Sequence, residues 1–165
     1  MKSLFSLICI LLLMSSCKNE EVEKPTGTYL STHADVSLIK KGTEEDLFNP
    51  TTKNYLNAAQ TRIEFSHSPG EIYSLASVSD GKIIFYEKDG VNYVRVFATY
   101  NTLPNEVQDV TLYWPDGSKD KVTFKFTFIT KNSFYPNTLM VNNEVINPPK
   151  DGEKGACSQY LTIYK

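Results

Sequence analysis

Val122-Thr123-Phe124-Lys125-Phe126-Thr127-Phe128 is the stretch that decides the fold, because apolar and polar side chains alternate through it without a break. Successive side chains of a β-strand point to opposite faces of the sheet, so Phe124 and Phe126 share one face while Lys125 lies on the other. Antiparallel strands with one solvated face show this pattern. The stretch therefore predicts a half-buried antiparallel strand whose phenylalanine face meets the core.

The preceding strand follows the same rule and ends at a turn. Val110, Leu112 and Trp114 alternate with Thr111 and Tyr113. The segment Pro115-Asp116-Gly117-Ser118 then separates the two strands. Proline presets φ and glycine accepts positive φ, so this segment predicts a hairpin turn. A calcium loop would have similar oxygen ligands, but Lys121 stands where such a loop requires glycine.

Two further hairpins are predicted, across Lys88-Asp89-Gly90 and across Asn142-Asn143, because these residues tolerate the left-handed backbone of a tight turn. A short helical turn is expected within Asn54–Gln60, and other strands are expected at His33–Ile39, Thr61–Ser66 and Ser158–Tyr164. Many short strands separated by turns predict an all-β fold, a single antiparallel β-sandwich of about seven to nine strands over residues 27–165. A lipocalin-like β-barrel is the alternative.

Residues 1–16 have the layout of a secretory signal peptide, with Lys2 near the start and an apolar run from Leu4 to Met14. This run is about 11 residues long, whereas a membrane-spanning helix needs about 20, so it predicts a cleaved segment. Met14-Ser15-Ser16-Cys17 resembles the bacterial lipobox. The resemblance implies that the chain is cut before Cys17 and that lipid is attached there.

Residues 17–26 are polar and charged, which predicts a flexible tether between the lipid and the domain. The acidic pair Glu20-Glu21 resembles the surface-export signal of Bacteroidetes lipoproteins. Lys18 also differs from the aspartate that retains enterobacterial lipoproteins in the inner membrane. The expected location is therefore the outer membrane, anchored through Cys17, and the tether favours exposure at the cell surface.

Charge and cysteine content exclude several classes of function. The 17 Lys and Arg against 19 Asp and Glu provide no concentrated basic face, so no nucleic-acid partner is expected. Of the three cysteines, Cys9 leaves with the signal peptide and Cys17 carries lipid. Cys157 then has no partner for an internal disulfide, and it is interpreted as a small packed residue instead of a nucleophile.

Neither a catalytic residue nor a metal nor a cofactor is predicted. Glu44-Glu45-Asp46 is interpreted as a solvated loop. His33 and Asp35 should share one strand face, as a metal pair would, but no third ligand is in view. The sequence contains no nucleophile elbow and no phosphate-binding glycine loop, so no enzyme activity is expected.

Aromatic residues provide the remaining functional clue. Trp114 ends a strand beside a turn, where a ring can be partly exposed at the rim of a sandwich. We interpret Trp114, Tyr113 and Tyr135 as a candidate ligand-binding set that would stack on sugar rings or peptides. The alternative is that the rings fill the core and the strand edges. Further rings that could contribute are Tyr86, Tyr93 and Tyr100.

Short motifs across most of the mature chain are similar to a family of small Bacteroidetes lipoproteins of uncharacterised function. They include the strand Ala34–Ile39, Gly42, the segment Asp46-Leu47-Phe48-Asn49-Pro50 and the hairpin Val141–Val145, together with the tryptophan-ended strand and its turn. The resemblance implies an immunoglobulin-like or transthyretin-like sandwich and implies no enzyme activity.

The leading hypothesis is a lipid-anchored bacterial protein whose sandwich domain binds or supports and does not catalyse, with a glycan or a protein as partner. The first alternative is a glycan-binding accessory protein of a polysaccharide-uptake system, which requires an exposed aromatic platform. The second is a lipocalin-like binder of a small apolar ligand, which requires a lined interior cavity.

Overall fold

A computed structural model describes residues 32–78, 84–99, 105–130, 133–147 and 159–165. These ranges contain ten strands and a single 3₁₀ turn, Ala58–Gln60. The strands are β1 His33–Ile39, β2 Arg62–Phe65, β3 Ile72–Ser74, β4 Phe85–Lys88, β5 Val91–Phe97, β6 Val107–Tyr113, β7 Lys119–Thr130, β8 Ser133–Val141, β9 Glu144–Asn147 and β10 Tyr160–Tyr164.

The strands form two sheets. One has the order β10-β1-β5-β4, and the other has the order β3-β2-β6-β7-β8-β9. The two sheets do not close into a barrel, which confirms the predicted all-β sandwich. The lipocalin-like barrel is wrong, because no continuous ladder joins the four-stranded sheet to the six-stranded one within the described residues.

The alternating stretch lies at the centre of the six-stranded sheet, in β7, as predicted. Phe124 and Phe126 are buried and Lys125 is exposed, whereas Phe128 reaches the sheet margin with 37% of its surface exposed. Pro136 of β8 lies opposite Phe126, beside an irregularity in the register. Proline has no N–H for the ladder, so an irregular position accommodates it.

The predicted turns are confirmed. Asp89 and Gly90 both have positive φ (53° and 78°), and they join β4 to β5. Asn142 and Asn143 have φ of 50° and 73° and join β8 to β9. Positive φ at both central positions twists a two-residue hairpin in the same sense as its strands, which is why asparagine, aspartate and glycine occupy these sites.

One strand pair is parallel, in contrast to the wholly antiparallel sheet expected. β10 lies alongside β1 in the same direction, with Val36 opposite Leu161 and Leu38 opposite Ile163. Alternation within a strand records which face is buried and carries no information about the direction of its neighbour. The pairing places Tyr160 beside Asp35 on the outer face of the four-stranded sheet.

The core lies between the two sheets. Val36, Leu38 and Val94 of the four-stranded sheet belong to the same buried cluster as Ile63, Leu112 and Phe124 of the six-stranded sheet. Leu47 and Phe48, from the long segment between β1 and β2, close one end of this cluster. Burial of this continuous apolar surface is the dominant stabilising contribution to the domain.

The predicted signal peptide, the lipid-bearing Cys17, the tether and Cys157 lie outside the described residues, as does Tyr100. Across the ranges that the structure describes, no helix combines the length and the apolar character needed to cross a bilayer.

Candidate functional site

Trp114 is buried, with only 3% of its surface exposed. Its indole Nε1 donates a hydrogen bond to Asp120 Oδ2 at 2.7 Å, and its ring packs against Phe48 with the centroids 5.9 Å apart. The expectation that this ring is partly exposed at the rim is therefore wrong. Phe48, which arrives from a distant segment, covers the strand end that would otherwise meet solvent.

Asp120 accepts from three residues that lie after β6, after β8 and after β10. Besides the Trp114 bond, Oδ2 pairs with Lys165 Nζ at 2.5 Å, and Oδ1 accepts from Asn142 Nδ2 at 2.7 Å. Burial alone would raise the pKa of Asp120, but its bonds to Lys165, Asn142 and Trp114 outweigh that effect and lower the pKa.

Tyr113 and Tyr135 both lie on the outer face of the six-stranded sheet, and the structure does not bring them together. Tyr113 is opposite Lys119 and Tyr135 is opposite Thr127, which are eight positions apart along β7. At about 3.3 Å per residue this separation is about 26 Å. The predicted set of Trp114, Tyr113 and Tyr135 therefore does not form one surface.

A different group of rings lines a cleft of about 220 Å³, between the segment that follows β1 and the hairpin of β4 and β5. Five aromatic residues and two amides face this space, joined by Ala58 and Ala59. The aromatic residues are Phe48, Tyr55, Phe85, Tyr86 and Tyr93, and the amides are Asn57 and Asn92. We call this space the aromatic cleft.

Asp46 joins the two walls of the aromatic cleft. Its Oδ2 accepts hydrogen bonds from both the backbone N and the Nδ2 of Asn92 on β5, each at 2.8 Å. Its Oδ1 accepts from the backbone N of Phe48 at 2.9 Å on the opposite wall. Asp46 is only 8% exposed, so the expectation that this acidic stretch is simply solvated is wrong for Asp46.

The segment that carries Tyr55 is fixed by backbone hydrogen bonds. Leu47 N donates to Leu38 O at 2.8 Å, and Leu56 N donates to Leu47 O at 2.7 Å. Asn57 caps the 3₁₀ turn by accepting from Ala59 N at 3.1 Å. Tyr55 is thereby held between two anchored neighbours while 41% of its own surface stays exposed.

Two tyrosines of the cleft, Tyr86 and Tyr93, form a row of rings with Tyr160 across the outer face of the four-stranded sheet. Tyr86 and Tyr93 stack with centroids 5.6 Å apart at an interplanar angle of 24°, and Tyr93 meets Tyr160 edge to face at 5.2 Å. Lys88 Nζ donates to the Tyr160 hydroxyl at 3.0 Å, and this bond is the main reason that the pKa of Tyr160 is lowered.

Asp35 lies beneath this row and is only 1% exposed. Arg95 binds both of its oxygens, with Nε at 2.8 Å and Nη2 at 3.1 Å. Burial would raise the pKa of Asp35, but contacts with His33, Arg95 and Tyr86 outweigh it and lower the pKa to about 2. The carboxylate is therefore ionised at neutral pH and anchors the arginine.

Arg95 in turn supports the first tyrosine of the row. Its guanidinium carbon lies 5.4 Å from the centroid of the Tyr86 ring, a cation–π contact. The Tyr86 hydroxyl is buried close to Asp35. Among the described residues, no acceptor has the geometry of a complete hydrogen bond with this hydroxyl. Burial and that neighbouring negative charge both raise the pKa of the phenol, so the ring stays neutral.

His33 and Asp35 share one face of β1, as predicted, with Nε2 and Oδ2 3.6 Å apart. Within the described ranges, no group of three or more potential metal ligands surrounds them. Both oxygens of Asp35 already bind Arg95, so the geometry is that of a buried ion pair with a neighbouring imidazole.

The aromatic cleft brings aromatic side chains and two side-chain amides together around a space of about 220 Å³, which is large enough for one ring. Ring faces stack on the C–H surface of a sugar or on another planar group, and amides donate to and accept from hydroxyls. Phe48, Tyr55 and Asn92 are not among the site residues that the sequence predicts, although the motif Asp46-Leu47-Phe48-Asn49-Pro50 forms part of one wall. Comparisons of the chain with family models, with curated proteins and with solved structures each found no match.

Proposed function

We propose that the protein is a lipid-anchored, non-catalytic binding module that holds a sugar ring in the aromatic cleft. The observation that carries this proposal is the convergence of five aromatic residues and two amides on one cleft of about 220 Å³. The glycan-binding hypothesis requires accessible aromatic residues, and this group of rings supports it through Tyr55, its exposed member, at a different place from the one that the sequence indicated.

The size and the chemistry of the cleft favour a sugar over a larger apolar ligand. Pockets for drug-sized molecules are typically about 300–1,000 Å³ and mostly apolar. The smaller space here suits one ring, and Asn57 and Asn92 provide polar groups at its wall. Tyr55 lines the cleft at its margin and is 41% exposed, so its ring is accessible to a ligand that arrives from solvent.

The cleft is organised before any ligand arrives. Asp46 holds Phe48 and Asn92 in place across the space, and the Asp35–Arg95 pair supports Tyr86 from below. Groups that are already fixed lose little conformational freedom on binding, so more of the contact energy appears as affinity. We therefore treat Asp46 and Asp35 as positioning residues.

The membrane attachment in this proposal rests on the lipobox-like segment that ends at Cys17 and on the polar tether after it. A tether of about ten residues reaches about 15–20 Å as a flexible coil. Such a domain would stay close to the outer membrane, where a sugar-binding module serves polysaccharide capture and uptake. The acidic pair in the tether is the basis for placing it at the cell surface.

An array of neutral and charged glycans tests the cleft. The parent protein should bind at least one neutral glycan, and Tyr55→Ala should weaken that binding about tenfold, a change of 1.4 kcal/mol. Tyr135→Ala, on the outer face of the other sheet, is the matched control and should bind like the parent. Absence of any signal, or equal loss in both variants, would remove the proposal.

Metabolic labelling with palmitate tests the anchor separately in a bacterial host. The parent chain should take up label and stay with the membrane fraction, whereas Cys17→Ser should remain unprocessed or appear in the soluble fraction. Persistent labelling of Cys17→Ser would show that lipid is attached elsewhere.

A further inference from the structure

A second depression, of about 400 Å³, lies directly beside the aromatic cleft. Tyr55 lines both spaces and is the one residue that their described linings share. The other residues that line the second depression come from the segment between β1 and β2, from the β6–β7 turn and from the position after β10. They are Lys40, Leu47, Asn54, Leu56, Asp116 and Lys165.

We propose that Tyr55 divides a single groove into two subsites and that this groove takes a neutral oligosaccharide of at least two units. This inference rests on the proposed function, since it assigns the aromatic cleft to one sugar ring. The second ring would lie over Leu56, with the Tyr55 ring between the two units. Tyr55 is exposed although its segment is held by hydrogen bonds, and it lies at the boundary between the two spaces.

The charged groups of the second depression favour a neutral ligand, because each of its two lysines already has a carboxylate partner and Asp116 adds a negative charge. Lys165 Nζ is bound by Asp120 at 2.5 Å and donates to Ser118 Oγ at 2.8 Å. Lys40 Nζ lies 3.5 Å from Glu45 Oε2. Hydroxyl groups can accept from the remaining ammonium N–H groups without disturbing these pairs, whereas the nearby carboxylates would repel an anionic sugar. Binding should accordingly change little with ionic strength.

The wall around Tyr55 is fixed on the side of the second depression as well. Asn54 donates from its backbone N and from Nδ2 to Glu45, at 3.2 Å and 3.0 Å to Oε1. Asp116 is held by Ser118, whose backbone N and Oγ donate to it at 2.9 Å and 2.6 Å. Two depressions with fixed walls and a shared ring are suited to consecutive units of one chain.

Trp114 provides a built-in readout for both subsites, because it is the single tryptophan of the chain. Phe48 separates its ring from the aromatic cleft, at 5.9 Å between centroids. Lys165 Nζ, at the second depression, lies 5.8 Å from the centroid of the same ring. Occupation of either space should therefore change the fluorescence of a ring that touches no ligand.

The test is a fluorescence and calorimetric titration of the full domain with size-defined neutral sugars. The probes are one to four units of α-1,4-glucan, β-1,4-glucan, β-1,3-glucan, β-1,4-mannan and β-1,4-xylan. For the series that binds, affinity should rise about tenfold from one unit to two or three, because the second subsite adds contact energy. It should then level off, because further units extend beyond the groove.

Variants separate the two subsites. Asn57→Ala, at the aromatic cleft, should weaken single sugars and longer chains alike. Lys40→Ala and Asp116→Ala should leave single-sugar affinity unchanged and remove at least half of the gain with length. Lys125→Ala, on an exposed face elsewhere, is the control for loss of a lysine, and melting temperatures of all variants confirm that they fold.

The outcomes distinguish the two proposals. If no probe binds, both the proposed function and this inference fail. If single units bind as tightly as tetramers, or if Lys40→Ala and Asp116→Ala leave the length dependence intact, the sugar site stands and the second subsite is overturned. A steep loss of affinity in high salt would overturn the assignment to a neutral glycan.

Discussion

The Trp114 indole donates its N–H to the Asp120 carboxylate at 2.7 Å, across the turn that joins β6 to β7. A tryptophan carries one polar group, and burial of the ring is tolerated when that group is satisfied. Here the acceptor is also bound by Lys165 and Asn142, so the ring is fixed among polar groups and the apolar Phe48. Trp114 supports the wall of the aromatic cleft from behind.

Trp114→Phe tests this supporting role. The substitution keeps an aromatic ring but removes the donor to Asp120, so the free energy of unfolding should fall by about 1.5–3 kcal/mol, as for other hydrogen bonds to charged groups. Denaturant unfolding followed by circular dichroism measures the change. Tyr164→Phe, at an exposed position on β10, should stay within about 0.5 kcal/mol. Equal effects of the two substitutions would show that the bond contributes nothing.

Asp35 should make stability depend on pH in the acid range. Its folded pKa of about 2 lies below its usual 3.8, so its contribution is complete above pH 3.8 and is lost as the pH falls toward 2. A shift of this size corresponds to about 2 kcal/mol. Unfolding free energies measured from pH 6 to pH 2 should therefore decrease for the parent.

Asp35→Asn isolates that contribution. Removing one partner of a buried pair leaves Arg95 uncompensated and should cost about 3–5 kcal/mol at pH 6. The gap to the parent should narrow as the pH approaches 2, because the parent then loses the same charge. Glu44→Gln, at an exposed position, should change the free energy of unfolding by less than about 0.5 kcal/mol at pH 6. A gap that stays constant down to pH 2 would refute the role of the ion pair.

Phe124 and Phe126 should account for much of the stability of the six-stranded sheet. Each is buried on the inner face of β7, so Phe124→Ala and Phe126→Ala should each lower the free energy of unfolding by about 3–5 kcal/mol. Lys125→Ala, between them on the outer face, should change it by less than about 0.5 kcal/mol. The reverse order in denaturant titrations would mean that β7 faces the other way.

Patterns local to one segment were sufficient to predict much of the fold. The alternation around Phe124 predicted the face that is buried, and Asp89-Gly90 and Asn142-Asn143 marked their hairpins because positive φ is a property of those residues themselves. The strand at His33–Ile39 has the predicted bounds. Each of these features depends on neighbouring residues in the sequence.

The candidate site could not be predicted in this way because it depends on contacts between distant segments. Asp46 accepts a hydrogen bond from Asn92, which is 46 positions away in the chain. No pattern in the sequence around either residue indicates this contact. Trp114 looked exposed because it ends a strand beside a turn, and the segment that covers it lies about 65 residues earlier. Likewise, the parallel pairing of β1 with β10 joins strands from opposite ends of the domain.

A nuclear magnetic resonance titration of the labelled domain, with the neutral glycan that gives the strongest array signal, tests directly whether the aromatic cleft holds a sugar. We expect the largest shifts on the side-chain amides of Asn57 and Asn92 and on the rings of Tyr55, Tyr86 and Tyr93. The outer face around Tyr113 and Tyr135 should be unchanged. Shifts confined to that outer face, with none in the aromatic cleft, would show that the sugar does not bind in the cleft.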